Sequence, residues 1–431
     1  RAPPGGLVPL QQRSRMNAAE GRTDAPYLIV MLAPPSKAMS AWFWRKLLAA
    51  GIWKTDVRFV YMLDEPPAGA ASKPTVAQLR GSRDRFEAEL AESNPRVVLA
   101  MGGDILRTLT GVGETIFDAR GYLIEDHLHR PVARSVYTQV GVYKAKSRST
   151  GAVKGDPRMK WVKEGAASPL YGRGLTVIAI FTLDHMRVEG FALSPVLKED
   201  LLRARRVVEG KLCRVDVDFQ YALQLSDWDC RPFPQSEFVA VDIETHGVDN
   251  EVIDLVSISD GVSSASFEWN EGTRAFVEQV FALPNVYFAL HNSPFDIPRL
   301  RANGVNIPDS VLERLVFDTM FGAVVIQPDL HKALGRVASL YLDSGPWKWR
   351  SLIDADQRRY SALDAYITAL LARQESAVMK SLGTWDLFMG TGEHPGPGMM
   401  GTIPTLTEAS RNGIPINVPY VIEWLPKLER K

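Results

Sequence analysis

Five oxygen-bearing side chains stand at spacings that chemistry can use. Asp242 and Glu244 lie two residues apart in Val241-Asp-Ile-Glu-Thr245, Asp296 closes His291-Asn-Ser-Pro-Phe-Asp296, and Tyr360 and Asp364 lie four apart in Tyr360-Ser-Ala-Leu-Asp364. Strand side chains alternate between faces, so Asp242 and Glu244 point the same way. Two carboxylates on one face of a buried strand must be neutralised by a metal, a proton or a cationic partner. No Lys or Arg lies within seven residues of either. Four carboxylates and a phenol that converge make a cage for two metal ions.

The elements that must position them are legible. Glu237–Glu244 is β-branched and apolar until it meets the acids, which reads as a buried strand. Val286–Asn292 reads as a second strand, with Asp296 where a helix begins and Pro298 in its first turn. Asp356–Arg373 has helical composition and a helical apolar rhythm, so Tyr360 and Asp364 share one helix face. Asp318, in Phe317-Asp-Thr-Met320, reads as a helix N-cap with Thr319, and His291 as a packing residue. His246 carries no assigned role.

The order and content of these elements resemble the 3′-5′ proofreading exonuclease domain of family A DNA polymerases, the DEDD superfamily with tyrosine in its third motif, over roughly residues 236 to 382. Asp329–Leu342 is similar to the family's connecting helix. The resemblance implies a ribonuclease-H-like α/β domain with a mixed sheet. It implies that Asp242, Glu244, Asp296 and Asp364 hold two Mg²⁺ or Mn²⁺ ions, that Tyr360 orients the attacking water, and that Asn292, Phe295 and Val248 contact the terminal nucleotides. The implied substrate is a single-stranded or frayed 3′ end of DNA, since terminal bases must leave the duplex to reach the cage. An RNA-trimming exonuclease of the same superfamily and a non-catalytic DNA-binding module are the alternatives.

In the first half, strand-like runs at Tyr27–Leu32, Val57–Leu63, Arg96–Met101 and Thr176–Thr182 alternate with helical stretches at Ser40–Ala50, Val76–Ser93 and Pro195–Glu209, the pattern of an α/β fold with a largely parallel sheet. Asn94–Gly111 and Asp118-Ala-Arg-Gly-Tyr122 resemble the uracil-DNA glycosylase superfamily, with Ala33-Pro-Pro35 and Thr182–His185 at its two active-site loops. The first loop offers no acid or amide and the second no His-Pro-Ser, so the expectation is a glycosylase-like scaffold that lies along DNA without excising bases. His185 is a candidate phosphate contact, against the plainer reading of a solvated loop histidine.

Lys plus Arg equal Asp plus Glu at 50 each, so net charge points to no partner. Its distribution does: residues 130–173 carry ten basic residues against two acids, a formal +8. Lys144, Lys146, Arg148 and Lys160, interleaved with Tyr137, Tyr143 and Trp161, are candidates to grip phosphates and stack on bases, against a solvated loop. The two cysteines, Cys213 and Cys230, form no Cys-x-x-Cys, which suits a reducing cytosol and, for a phage-encoded chain, that of the bacterial host. No membrane span and no small-molecule cofactor are expected.

The expected organisation is an extended segment 1–25, the glycosylase-like domain 26–212, a connector 213–235, the exonuclease domain 236–389, and residues 390–431, where Thr405–Asn417 resembles the passage opening the polymerase portion of family A enzymes. The chain opens on Arg1, an expectation of processing or of a boundary. It ends at Lys431 before any palm motif, so the polymerase is expected either further along a longer polypeptide or as a separate partner on primer-template DNA.

Overall fold

The structure, a computed structural model, describes residues 19–63, 76–125, 133–137, 145–146, 153–154, 161–167, 169–170, 172–228, 233–247, 251–391 and 398–412. It is an α/β protein with two five-stranded mixed sheets. The chain divides into two units, Arg1–Val217 with Ser339–Trp349 and Asp218–Ala338 with Arg350–Lys431. Among the described residues no helix is long and apolar enough to cross a membrane.

The first unit alternates strand and helix as the apolar runs require: β1 (Tyr27–Met31), α1 (Lys37–Ala49), β2 (Val57–Tyr61), α2 (Val76–Glu92), β3 (Val97–Met101), α3 (Gly103–Thr110), β4 (Leu123–Glu125), β5 (Thr176–Ile180), α4 (Leu183–Val188) and α5 (Ser194–Glu209). The sheet order is β2-β1-β3-β5-β4, parallel except for β4. β1, β2, β3 and β5 are buried at every position, which is why they read as largely apolar runs rather than alternating ones, with the buried Arg58 of β2 bonded to Ser93 and Gly21 O. In the basic insertion, Ala133–Tyr137 pairs antiparallel with Trp161–Ala167. Lys146 lies in a two-residue strand facing Val153–Lys154. Lys144, Arg148, Lys160 and Val248 lie outside the described residues.

Ser339–Trp349 belongs to the first unit through a buried ionic cluster. Arg203, with its side chain 1% exposed, donates to Asp200 at 3.1 Å and to Asp343 at 3.0 Å. Arg206 grips Asp343 with two bonds of 2.7 and 2.6 Å, and Arg120 reaches Asp200 at 3.2 Å and the Ser339 hydroxyl. Backbone bonds from Leu123 N to Ser344 O and from Val215 N to Asp343 O, each 2.9 Å, hold the strap, and Trp347 packs edge-on to Tyr122 at 5.3 Å. This corrects the expected connecting helix over 329–342, because helix forms only at Leu334–Ala338. Beyond it the chain turns at residues 339–341, and Asp343 and Ser344 form backbone bonds with the rest of the first unit.

The second unit contains β6 (Phe238–Thr245), β7 (Ile253–Ser259), β8 (Ser264–Glu268), α6 (Glu271–Phe281), β9 (Tyr287–Leu290), α7 (Ser293–Ala302), α8 (Asp309–Arg314), β10 (Val316–Asp318), α9 (Thr319–Ile326), α10 (Leu334–Ala338), α11 (Gln357–Leu382), α12 (Trp385–Met389) and α13 (Ile403–Asn412). The sheet order is β8-β7-β6-β9-β10, with β7 antiparallel to both its neighbours and β9 and β10 parallel to β6. Strand alternation sorts β6 into two rows. Val239, Val241 and Ile243 join the core under α6 and α7. Phe238 and Ala240 face the other way, into a core with Ala365, Ala369 and Ala372 of α11. Alanine at 365, 369 and 372 follows the helical repeat and lets α11 lie close to the sheet.

Removing Asp343 takes one of two carboxylates from the buried Arg203, which keeps Asp200, and takes the bonds of 2.7 and 2.6 Å from Arg206. Asp343→Ala should therefore destabilise the first unit by about 1.5–3 kcal/mol, the usual worth of hydrogen bonds between charged groups. Guanidinium denaturation of the full chain measures it, and a variant as stable as wild type would show that the strap holds nothing.

Candidate metal centre

The row Phe238, Ala240, Asp242, Glu244 turns from apolar to acidic where the parallel partner β9 ends. Pairing of β6 with β9 stops at Ala240, while pairing with β7 runs on to Thr245, with a register shift between Glu244 and Thr245. Such irregularities re-aim side chains beside active sites. α11 crosses at this level. Asp356 caps it by accepting from Arg359 N at 2.9 Å, and Ser361 meets Ser257, the β7 partner of Asp242, through hydroxyls 2.6 Å apart. The helix then delivers Asp364 to the strand acids.

Asp242, Glu244 and Asp364 each offer a carboxylate oxygen within 4.8 Å of the others. The donor set fits a hard divalent cation. Oxygen ligands about 2.1 Å from one Mg²⁺ ion lie up to about 4 Å apart, so small side-chain rotations close the set. Asp296 stands outside this trio. It is buried, and the Ile243 amide, between the two strand acids, hydrogen-bonds its carboxyl. Two ions about 3.5–4 Å apart place the outer ligand of one well beyond the ligands of the other, so a fourth acid on the flank is what a paired site needs.

The structure also places the other candidates. Tyr360 lies in the first turn of α11, one turn before Asp364 and half-buried. Asn292 precedes α7 in the left-handed region, with φ 77°. Phe295 packs on the core of the sheet's α7 face, and Arg299, one turn on, stacks over its ring at 3.6 Å and donates to its carbonyl at 2.8 Å. Arg299 was not singled out in the sequence, although its spacing from Phe295 on a helix is a signal for it. His291 bonds Thr319 and Lys332 O, each at 2.8 Å, a framing role that agrees with packing. His246 is exposed beside Asp254 at 3.5 Å. His185 sits in the first unit with its ring between Phe117 and Phe181, 5.3 and 5.1 Å away. Pro298 does not sit in the first turn of α7 as expected. The helix starts at Ser293 with Pro294 in its first turn, which leaves Pro298 inside it. The left-handed Asn292 turns the chain into helix sooner than the apolar rhythm indicates.

Burial, then the nearby Asp318 carboxylate, pushes Asp296 well above the carboxylate range, against the pull of the Ile243 amide. Deeper along α11, Glu375 is wholly buried, and among the described residues neither carboxyl oxygen has a hydrogen-bond partner. Burial and Asp318 raise it, and Lys332 offsets this only in part.

No family model and no curated protein matches the chain. Among solved structures, the EXO domain of Nibbler from Aedes aegypti aligns at 14% identity over 41% of this chain and 88% of that chain, with a TM-score of 0.27. So distant a likeness assigns no function.

Calorimetric titration of the full chain should show Mn²⁺ or Mg²⁺ binding that Asp242→Ala and Asp364→Asn each weaken. Equal affinity in the variants would remove the centre. For Glu375, a raised folded pKa favours the protonated, folded form, so its contribution is intact below the unfolded value of about 4.3 and is lost as pH rises. The melting temperature of Glu375→Gln relative to wild type should accordingly climb from pH 5 to pH 8. A constant difference would show that Glu375 is not held neutral.

Proposed function

We propose that the chain is a metal-dependent 3′-5′ exonuclease that removes nucleotides from single-stranded or mismatched 3′ ends of DNA, in the service of a family A DNA polymerase carried in cis or in trans. The observation that carries this reading is the meeting of Asp242 and Glu244 with Asp364, 120 residues beyond Glu244 in sequence, beside a buried Asp296. Support for a ribonuclease-H-like arrangement comes from the order β8-β7-β6-β9-β10, with the acids on its central strand and on the helix across it.

When bound, two divalent ions supply an activated water and charge neutralisation at the leaving 3′ oxygen. The protein's own groups do the rest. Asp242, Glu244, Asp296 and Asp364 would hold the ions, and the Tyr360 hydroxyl would orient the water. Asn292 and Phe295 receive the terminal nucleotide, with Val248 against the last base. The Arg299 guanidinium adds positive charge beside the phosphodiester. The first unit serves as a glycosylase-like DNA-binding scaffold, with the basic insertion and His185 as phosphate contacts.

A 5′-labelled single strand incubated with Mg²⁺ should shorten stepwise, and Asp242→Ala should abolish the ladder. Tyr360→Phe should slow hydrolysis about 10–100-fold, the usual cost of losing an orienting partner near a metal, while metal and DNA binding persist. Asp364→Asn should cost more. Matched oligomers distinguish the sugars, and preferential RNA trimming would replace DNA as substrate. A wild-type protein that binds the strand without shortening it would defeat the enzyme reading.

A further inference from the structure

Asp318 closes β10 in complete burial and caps α9, accepting from Met320 N at 2.8 Å and Phe321 N at 3.3 Å. The same carboxylate accepts from Asn292 N at 3.2 Å and Ser293 N at 2.6 Å, which open α7. α7 supplies no cap of its own, because Asn292 is left-handed and its side chain makes no capping bond. One carboxylate thus serves two helix N-termini, where orphan amides and aligned peptide dipoles favour an anion. Thr319 and His291 brace the same corner, with Thr319 donating to Leu290 O at 3.0 Å and bonding the His291 ring at 2.8 Å. α7 carries Asp296 at its fourth residue, so whatever fixes the start of α7 also fixes that carboxyl.

We infer that Asp318 is a positioning residue: through the opening amides of α7 it sets Asp296 against the Ile243 amide, at the flank of the Asp242, Glu244 and Asp364 cluster. It touches neither ions nor substrate. The inference rests on the exonuclease reading for its kinetic consequence, but not for its geometry.

In the full chain, Asp318→Ala should lower kcat about 10–100-fold, the range for outer groups that orient metal ligands, with KM for a single strand nearly unchanged. The decisive comparison is the double variant. Asp296→Ala with Asp318→Ala should be no slower than Asp296→Ala alone, because residues that act through one another are not additive. A general structural role would add its loss to that of Asp296→Ala, and that result, or wild-type kcat in Asp318→Ala, would overturn the inference. Melting temperatures confirm that each variant folds. Should the alanine variant not fold, Asp318→Asn keeps one acceptor, removes the charge, and enters the same cycle. Mn²⁺ affinity followed by electron paramagnetic resonance gives a readout independent of turnover and should weaken in Asp318→Ala. A wild type that hydrolyses nothing would defeat the exonuclease reading but leave this measurement standing, and unchanged Mn²⁺ affinity would then overturn the positioning role by itself.

Discussion

Carboxylates repel one another and resist leaving water, so a fold that gathers Asp242, Glu244 and Asp364 must hold them against their own preference. The second unit does this with two rigid rows rather than with a loop. Strand alternation on β6 directs Asp242 and Glu244 to the face that α11 covers, and the alanine stripe of α11 brings the helix close enough for Asp364 to meet them. The apolar contact between Phe238, Ala240 and the alanines provides the favourable term, since burial of apolar surface is worth about 25 cal/mol per Å². The acids occupy the continuation of the same rows, beyond the last β9 pairing at Ala240.

The flank of the site follows a different logic. Asp296 is tied to the strand by an amide that β9 no longer pairs, and to the fold by a helix whose cap comes from β10. The left-handed Asn292 and the pinned ring of His291 belong to this corner, where two strands end and two helices begin within one hydrogen-bonded cluster. Short bonds among buried polar groups are costly when incomplete and specific when complete, which suits a corner whose purpose is placement.

Much of this was legible because it follows from short-range periodicity. The two-residue spacing of Asp242 and Glu244 fixes a shared strand face, and the four-residue spacing of Tyr360 and Asp364 fixes a shared helix face. The long strands of the first unit stood out because they are largely apolar runs. What escaped depends on partners distant in the chain. Asp318 reads as a cap for the helix that follows it, and nothing nearby announces a second helix 25 residues upstream. The family resemblance implies helix as far as Leu342, yet the helix ends at Ala338 and the segment beyond it is held to the first unit through Asp343 by Arg203 and Arg206. Pro298 misled for a related reason: proline marks helix starts only on average, and Pro294 already occupied that place.

The strap also sets a timetable for biosynthesis. Arg203 emerges from the ribosome 140 residues ahead of Asp343, an interval of roughly 7–28 s at about 5–20 residues per second. During that time the first sheet has all of its strands but lacks Asp343, the carboxylate that Arg206 grips and the second partner of Arg203 after Asp200. Its closure waits on translation of most of the second unit, so the nascent chain passes through a half-finished state in which chaperones have time to act.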